Sequence, residues 1–129
     1  MKLQQAIDRV DEMRPNMQSR ELKVAALSEL DGLIWSELIM KHHLLPGEVI
    51  RMASMPEYDS DTDPGTTLLV RSPYDRIYDY WLMSKIDQQT LEQEKFNNDI
   101  ALFNSYYEQF SDYWTRTHMP KTRVRELRI

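Results

Sequence analysis

The stretch "NNDIALFNSYYEQFSDYWTRTH", residues 97–118, carries two Phe, three Tyr and one Trp within about six helical turns. Phe96, Ile100, Phe103, Tyr107, Phe110 and Trp114 are separated by 4, 3, 4, 3 and 4 residues, the spacing of one helix face. Leu102, Tyr106 and Tyr113 form a second row on the neighbouring face. The resulting apolar arc is wider than one helix-packing seam needs. Two arrangements satisfy it. Either the helix is central and touches two or more others in the domain, or one row packs inside and the Tyr row faces another subunit. Tyr and Trp suit the second use because their bodies are apolar and their tips polar. The pattern predicts a helix from about residue 91 to 117, with Pro120 just beyond it.

Upstream, "SPYD" at residues 72–75 reads as a helix start, with Ser72 as cap, Pro73 in the first turn and Asp75 at the positive end of the dipole. That helix carries Ile77, Tyr78, Trp81, Leu82 and Ile86, and its stripe weakens at residues 87–90. Near the N-terminus, Leu3, Ala6, Ile7, Val10 and Met13 line one face of a helix over residues 2–13, and "RPN" at 14–16 breaks it. Ser19 is placed to cap a long second helix, "RELKVAALSELDGLIWSELIMKHH", which "LLPG" at 44–47 ends. Gly32 inside it suggests a close helix contact.

Residues 44–66 have no such period. "PEYDSDTDPG" is acidic and Pro-bearing, which predicts a long loop. Short strands around residues 48–52 and 66–70 would pair across it as a hairpin. The expected fold is therefore mainly α: a four-helix bundle-like domain over residues 1–120, with a long loop or short β-hairpin between the second and third helices. An extended basic arm follows over residues 121–129.

The totals narrow the function. The 129 residues suit one ordinary domain with a modest core, and 41% hydrophobic with 29% charged residues marks a globular chain. The net charge of −5 argues against general nucleic-acid binding. With no Cys there are no disulfides, thiolate metal sites or thiol nucleophiles. No apolar run approaches the roughly 18 residues that span a bilayer, and the charges near the N-terminus exclude a signal peptide.

Candidate chemistry is sparse. Asp59, Asp61 and Asp63 alternate as carboxylates round a hard cation do, but the EF-hand loop requires Gly sixth and Glu twelfth, where this chain has Pro64 and Val70. A solvated acidic loop that docks on a basic partner is the stronger reading. His42 and His43 are adjacent and so point about 100° apart on a helix, a poor chelate. His118 has no sequence-near carboxylate to orient it. GxSxG, HExxH and Gly-rich phosphate loops are absent. No enzyme, metal or cofactor is expected. The arm "KTRVRELRI" sets Lys121, Arg123, Arg125 and Arg128 against Glu126, a side-chain balance of +3. It is either a disordered end or a segment that orders on an acidic partner, another subunit or a nucleic-acid backbone.

The ordered phrases "RPN", "LSELDG", "PYD", "YDYWLMSKID", "NNDIALFN" and "RTH" give the chain, over roughly residues 6–120, a resemblance to a known family. It resembles the small head–tail connector, or adaptor, proteins encoded in tailed-phage and prophage head-assembly clusters of Gram-positive bacteria. The resemblance implies a helical fold, a ring commonly of twelve copies beneath the portal, and no enzymatic activity. It implies a portal on one side of the ring, a stopper or tail-completion protein on the other, and genome DNA passing through the lumen without specific binding. It implies the virion neck as the location, with the host cytoplasm before assembly. The interface residues this suggests are Tyr106 and Tyr113, the arm cations Lys121, Arg123, Arg125 and Arg128, and the loop carboxylates Asp59, Asp61 and Asp63. The rival readings are a small helical module that grips a partner helix and a packaging factor that contacts DNA through the basic arm.

Overall fold

The computed structural model of the protein describes residues 1–121. Its elements are α1 (Leu3–Met13), α2 (Arg20–Ile34), a π-helical turn (Trp35–Ile39), a 3-10 turn (Pro46–Glu48), α3 (Val49–Met52), α4 (Arg76–Gln89) and α5 (Gln93–Thr117). Among the described residues every named element is helical and there is no strand. No described helix is long and apolar enough to cross a membrane.

Helix α1 follows its sequence pattern at Leu3, Ala6, Ile7 and Val10, which are all buried, whereas Met13 at the end of the expected stripe is exposed. The Ser19 Oγ accepts the Leu22 N–H at 3.2 Å and caps α2 as expected. The long second helix ends its regular part at Ile34. The π-helical turn that follows holds one residue more than an α-turn would, and Leu38 and Ile39 in it are both buried. Gly32 does not mark a close helix approach. A Cβ built there would meet only the Met55 Sδ, at an ordinary 3.7 Å.

The expected hairpin does not form. Residues 49–52 are the helix α3, and residues 66–70 hydrogen-bond to the N-terminus instead. Leu3 N–H donates to Thr66 O at 2.8 Å and Leu68 N–H to Met1 O at 2.9 Å. Lys2 and Thr67 make an isolated antiparallel bridge. The physical reason lies in Leu68, Leu69 and Val70, which are all buried and whose N–H groups find partners other than a strand: Met1 O for Leu68, Asp31 for Leu69 and the Tyr78 hydroxyl for Val70. Helix α4 also starts later than "SPYD" predicts. The Ser72–Pro73 bond is cis, Asp75 occupies the cap position without a side-chain bond, and Arg76 is the first helical residue. Leu91 takes a left-handed φ of 60° between α4 and α5, so α5 begins at Gln93.

The central helix is α4, not α5. It packs against α1, α2 and α5, whereas α5 lies on α4 and otherwise meets chiefly the π-helical turn. Burial on several sides explains why α4 has Ile77, Tyr78, Asp79, Leu82, Met83, Ser84, Ile86 and Asp87 all inside.

Candidate functional site: an interaction surface

Three groups of residues decide what this molecule presents to others, and each is built from the inside outward.

The first is the ring array between α4 and α5. Trp81 meets Phe103 at 5.0 Å between centroids, Tyr80 stacks on Tyr106 at 5.5 Å and Tyr74 stacks on Tyr113 at 4.9 Å. As the α4-side number rises the α5 number falls, which is an antiparallel zipper of rings. This covers part of the wide apolar arc of α5, and Leu102 of the second row stays exposed. Its second row, Tyr106 and Tyr113, packs on the α4 flank within the protomer and is half-buried there. The face of α5 turned to solvent is mostly polar, with Asn97, Asn104, Ser105, Glu108, Gln109 and Asp112 exposed.

The second group is a set of buried charges that lock the helices. Arg9 Nε donates to Asp79 Oδ1 at 2.8 Å. Arg14, from "RPN", puts one Nη1 between two buried carboxylates, Asp87 at the end of α4 and Asp99 in α5 at 2.7 Å. Burial, and then the facing Asp87 carboxylate, push the Asp99 carboxyl up to about 6 against the opposing pull of Arg14. Asp31 is wholly buried. It accepts the Tyr58 hydroxyl at 2.6 Å, the Tyr78 hydroxyl at 2.7 Å and the Leu69 N–H at 3.1 Å. Burial raises its pKa despite these donors. Lone buried charge is costly. These pairs and donors offset that cost, so the charges specify which elements meet.

The third group is the far end of α5. His118 is buried, stacks on Trp114 at 3.5 Å, and faces both Glu48 oxygens through Nε2 at 2.8 and 3.0 Å. Its carboxylate partner comes from 70 residues away, which no local spacing could reveal. Both ring nitrogens are engaged, since Nδ1 faces Trp114 O and Thr117 Oγ1. The imidazole is a pin that ties the end of α5 to the 3-10 turn. Beyond it, His43 N–H donates to Met119 O and Lys121 N–H to Lys41 O, at 2.8 and 2.9 Å. The platform so formed exposes Met40, Leu45, Val49, Ile50 and Met119, with Ile50 98% open.

Of the residues singled out in the sequence, Asp59 and Asp63 turn their carboxylates onto their own loop, accepting the Asp61 N–H at 2.9 Å and the Gly65 N–H at 2.8 Å. Asp61 is exposed beside them. No group of ligands that could hold a metal occurs among the described residues. Lys121 is exposed on the platform edge. Arg123, Arg125 and Arg128 lie outside the described residues. The structure does not gather Tyr106, Tyr113, the loop carboxylates and Lys121 into one site. What the sequence reading missed was the apolar platform. Val49 and Ile50 were assigned to a strand, where alternation would have turned one of them inward. The chain matches no family model, no curated protein and no solved structure.

Proposed function

We propose that this chain is a head–tail adaptor, a structural subunit of the phage neck that works by assembly. In this reading its four long helices form one bundle-like unit, with residues 53–75 as a strap along its side. Copies form a ring, commonly of twelve, under the portal and join it to a stopper or tail-completion protein, while the genome passes through the lumen. The protein would reside in the host cytoplasm before assembly and in the virion neck after it.

The observation that carries this reading is the contrast between interior and ends. The interior charged groups are paired, with Asp31, Asp79, Asp87, Asp99 and His118 all held by partners, and Trp114 Nε1 is the buried side-chain polar atom left without one among the described residues. Large apolar side chains nevertheless stand open at the two ends of α5: Ile50 and Met119 at one, Met17 and Leu91 at the other. Large apolar side chains left open at the ends of a molecule whose buried charges are paired mark contact with other proteins. The phrases shared with connector proteins supply the class of assembly.

Co-sedimentation with rings of the portal protein encoded beside it tests the reading. Saturable binding at one chain per portal subunit is expected. Failure to bind portal rings, together with absence of the chain from the collar of purified particles, sinks it.

A further inference from the structure

Helix α5 separates two surfaces by its whole length, about 37 Å for 25 residues at 1.5 Å each. At its C-terminal end lies the platform with Ile50, Val49 and Met119 exposed. Lys41, Arg116 and Lys121 are exposed around it, Arg51 turns its guanidinium to Leu68 O at 2.9 Å, and Glu48 is taken up by His118. Glu37, Glu57 and Asp112 are the exposed carboxylates nearest in sequence, Glu37 beside Tyr107 of α5 and Glu57 next to Tyr58, whose N–H donates to Ser28 of α2. Past Lys121 the sequence adds three arginines and one glutamate.

At the N-terminal end, the Arg14 contacts to Asp87 and Asp99 bring the loop after α1 beside the α4–α5 connection. This gathers Met13, Met17 and Leu91, of which Met17 is 99% and Leu91 88% exposed. The charges here are of the opposite sign. Glu12 and Glu94 are exposed, Glu92 is held by Lys95, and Arg14 is consumed between two carboxylates. The two ends thus share apolar centres and differ in the sign of their rims.

We infer that copies of this chain join end to end, the cation-rimmed platform of one seating on the acid-rimmed Met17–Leu91 end of the next. Two different, complementary patches on one chain make a heterologous contact, which generates a ring when its rotation closes. The complementary charge sets direction and register, and the apolar centres supply the affinity. Closure into a ring rests on the neck reading above, whereas the contact itself does not. The assignment leaves the polar face of α5 and the Asp59–Asp61–Asp63 loop free for portal and stopper.

The test uses two full-length variants at exposed positions, Ile50→Asp to disable the platform and Leu91→Asp to disable the opposite end. Asp tolerates the left-handed φ at position 91, and unchanged unfolding midpoints verify that both variants fold. Sedimentation velocity is expected to show concentration-dependent association of the wild type and at least a tenfold weakening in each variant alone. An equimolar mixture keeps one intact pair of ends, so it should form a dimer and nothing larger. Variants that associate like the wild type, a mixture with no dimer, or a wild type still monomeric near ~1 mM each overturn the inference. Loss of association on changing Asp59, Asp61 and Asp63 together to Asn, with both ends intact, overturns it too, because the platform would then be meeting the loop. Portal binding by a wild type that never self-associates removes the end-to-end contact and keeps the neck reading. Self-association without any portal binding does the reverse.

Discussion

Residues 53–75 and helix α5 make opposite use of the chain. The first has no regular structure, yet Leu68, Leu69 and Val70 within it are as buried as any helix residue. The second is the longest helix in the molecule, yet only Asp99, Phe110 and Trp114 on it are fully buried. Regular backbone and burial are therefore separate properties. A helix satisfies its own N–H and C=O groups and can lie on a surface. An irregular segment goes inside only where other groups take up its polar atoms, and here Asp31 does much of that. It accepts the Leu69 N–H and both tyrosines, while the Tyr78 hydroxyl in turn accepts the Val70 N–H at 2.8 Å. The strap is thus held by one buried carboxylate together with main-chain bonds from Thr66 and Leu68 to the N-terminus, whereas attachment of α5 is spread over a row of rings.

That contrast breaks first at Asp31. Asp31→Ala strands two buried hydroxyls and an N–H, and should cost about 3–5 kcal/mol in urea unfolding. Tyr58→Phe, which removes one of the three donors, should cost about 1–2 kcal/mol in the same measurement. A loss at Asp31 no larger than the Tyr58 loss would show that the strap is held elsewhere.

The ring zipper should be more forgiving. Tyr106→Ala and Tyr113→Ala each remove one half-buried stacked ring and should cost about 1–2 kcal/mol. In combination they should add within about 0.5 kcal/mol, because each stacks on a different partner. Strong non-additivity in a double-mutant cycle would mean that α5 is held as one cooperative unit.

A smaller effect sharpens the comparison where the N-terminal part of α5 is fastened by charge. The folded Asp99 carboxyl titrates at about 6, above its ordinary 3.8. On acidification the folded chain takes up this proton before the unfolded chain does. This contribution to stability is therefore fully present below pH 3.8 and is lost as pH rises through 6. The change over that window should be about 1 kcal/mol after solvent screening. Asp99→Asn should flatten this part of the profile of unfolding free energy against pH. A slope unaltered by the substitution would assign the titration to another group.

The smallest expected change is a gain. Gly32 has helical φ and room for a Cβ, so Gly32→Ala should stabilise α2 by about 0.5–1 kcal/mol. A loss instead would mean that Met55, and with it the start of the strap, needs the space.

How far the chain could be read in advance follows from the reach of each force. The start and face of α1 and the start of α2 were legible because an apolar stripe and the Ser19 cap act within four residues of where they are written. The body of α5 was legible for the same reason, although which neighbour its rings would meet was not. The strand readings at 48–52 and 66–70 failed because β-branched residues fit any buried extended surface, and propensity does not name the partner. The helix start at "SPYD" failed because the backbone turns once more before Arg76. Among the candidate interface residues, Tyr106 and Tyr113 were found as rings in need of a partner, and each stacks on a ring from the α4 side while keeping part of its surface open.

The sequence by itself therefore determined a small, acidic, mainly helical chain and where its long helices run, since periodicity, caps and breakers are local. Only the tertiary structure decided that α4 is central, that Arg14 meets Asp99 across 85 residues, that His118 meets Glu48 across 70, and that Ile50 and Leu91 remain outside. The physical reason is that a buried charge needs a partner without specifying which one. The choice among partners is made by packing, which places distant segments side by side only when the whole chain has folded.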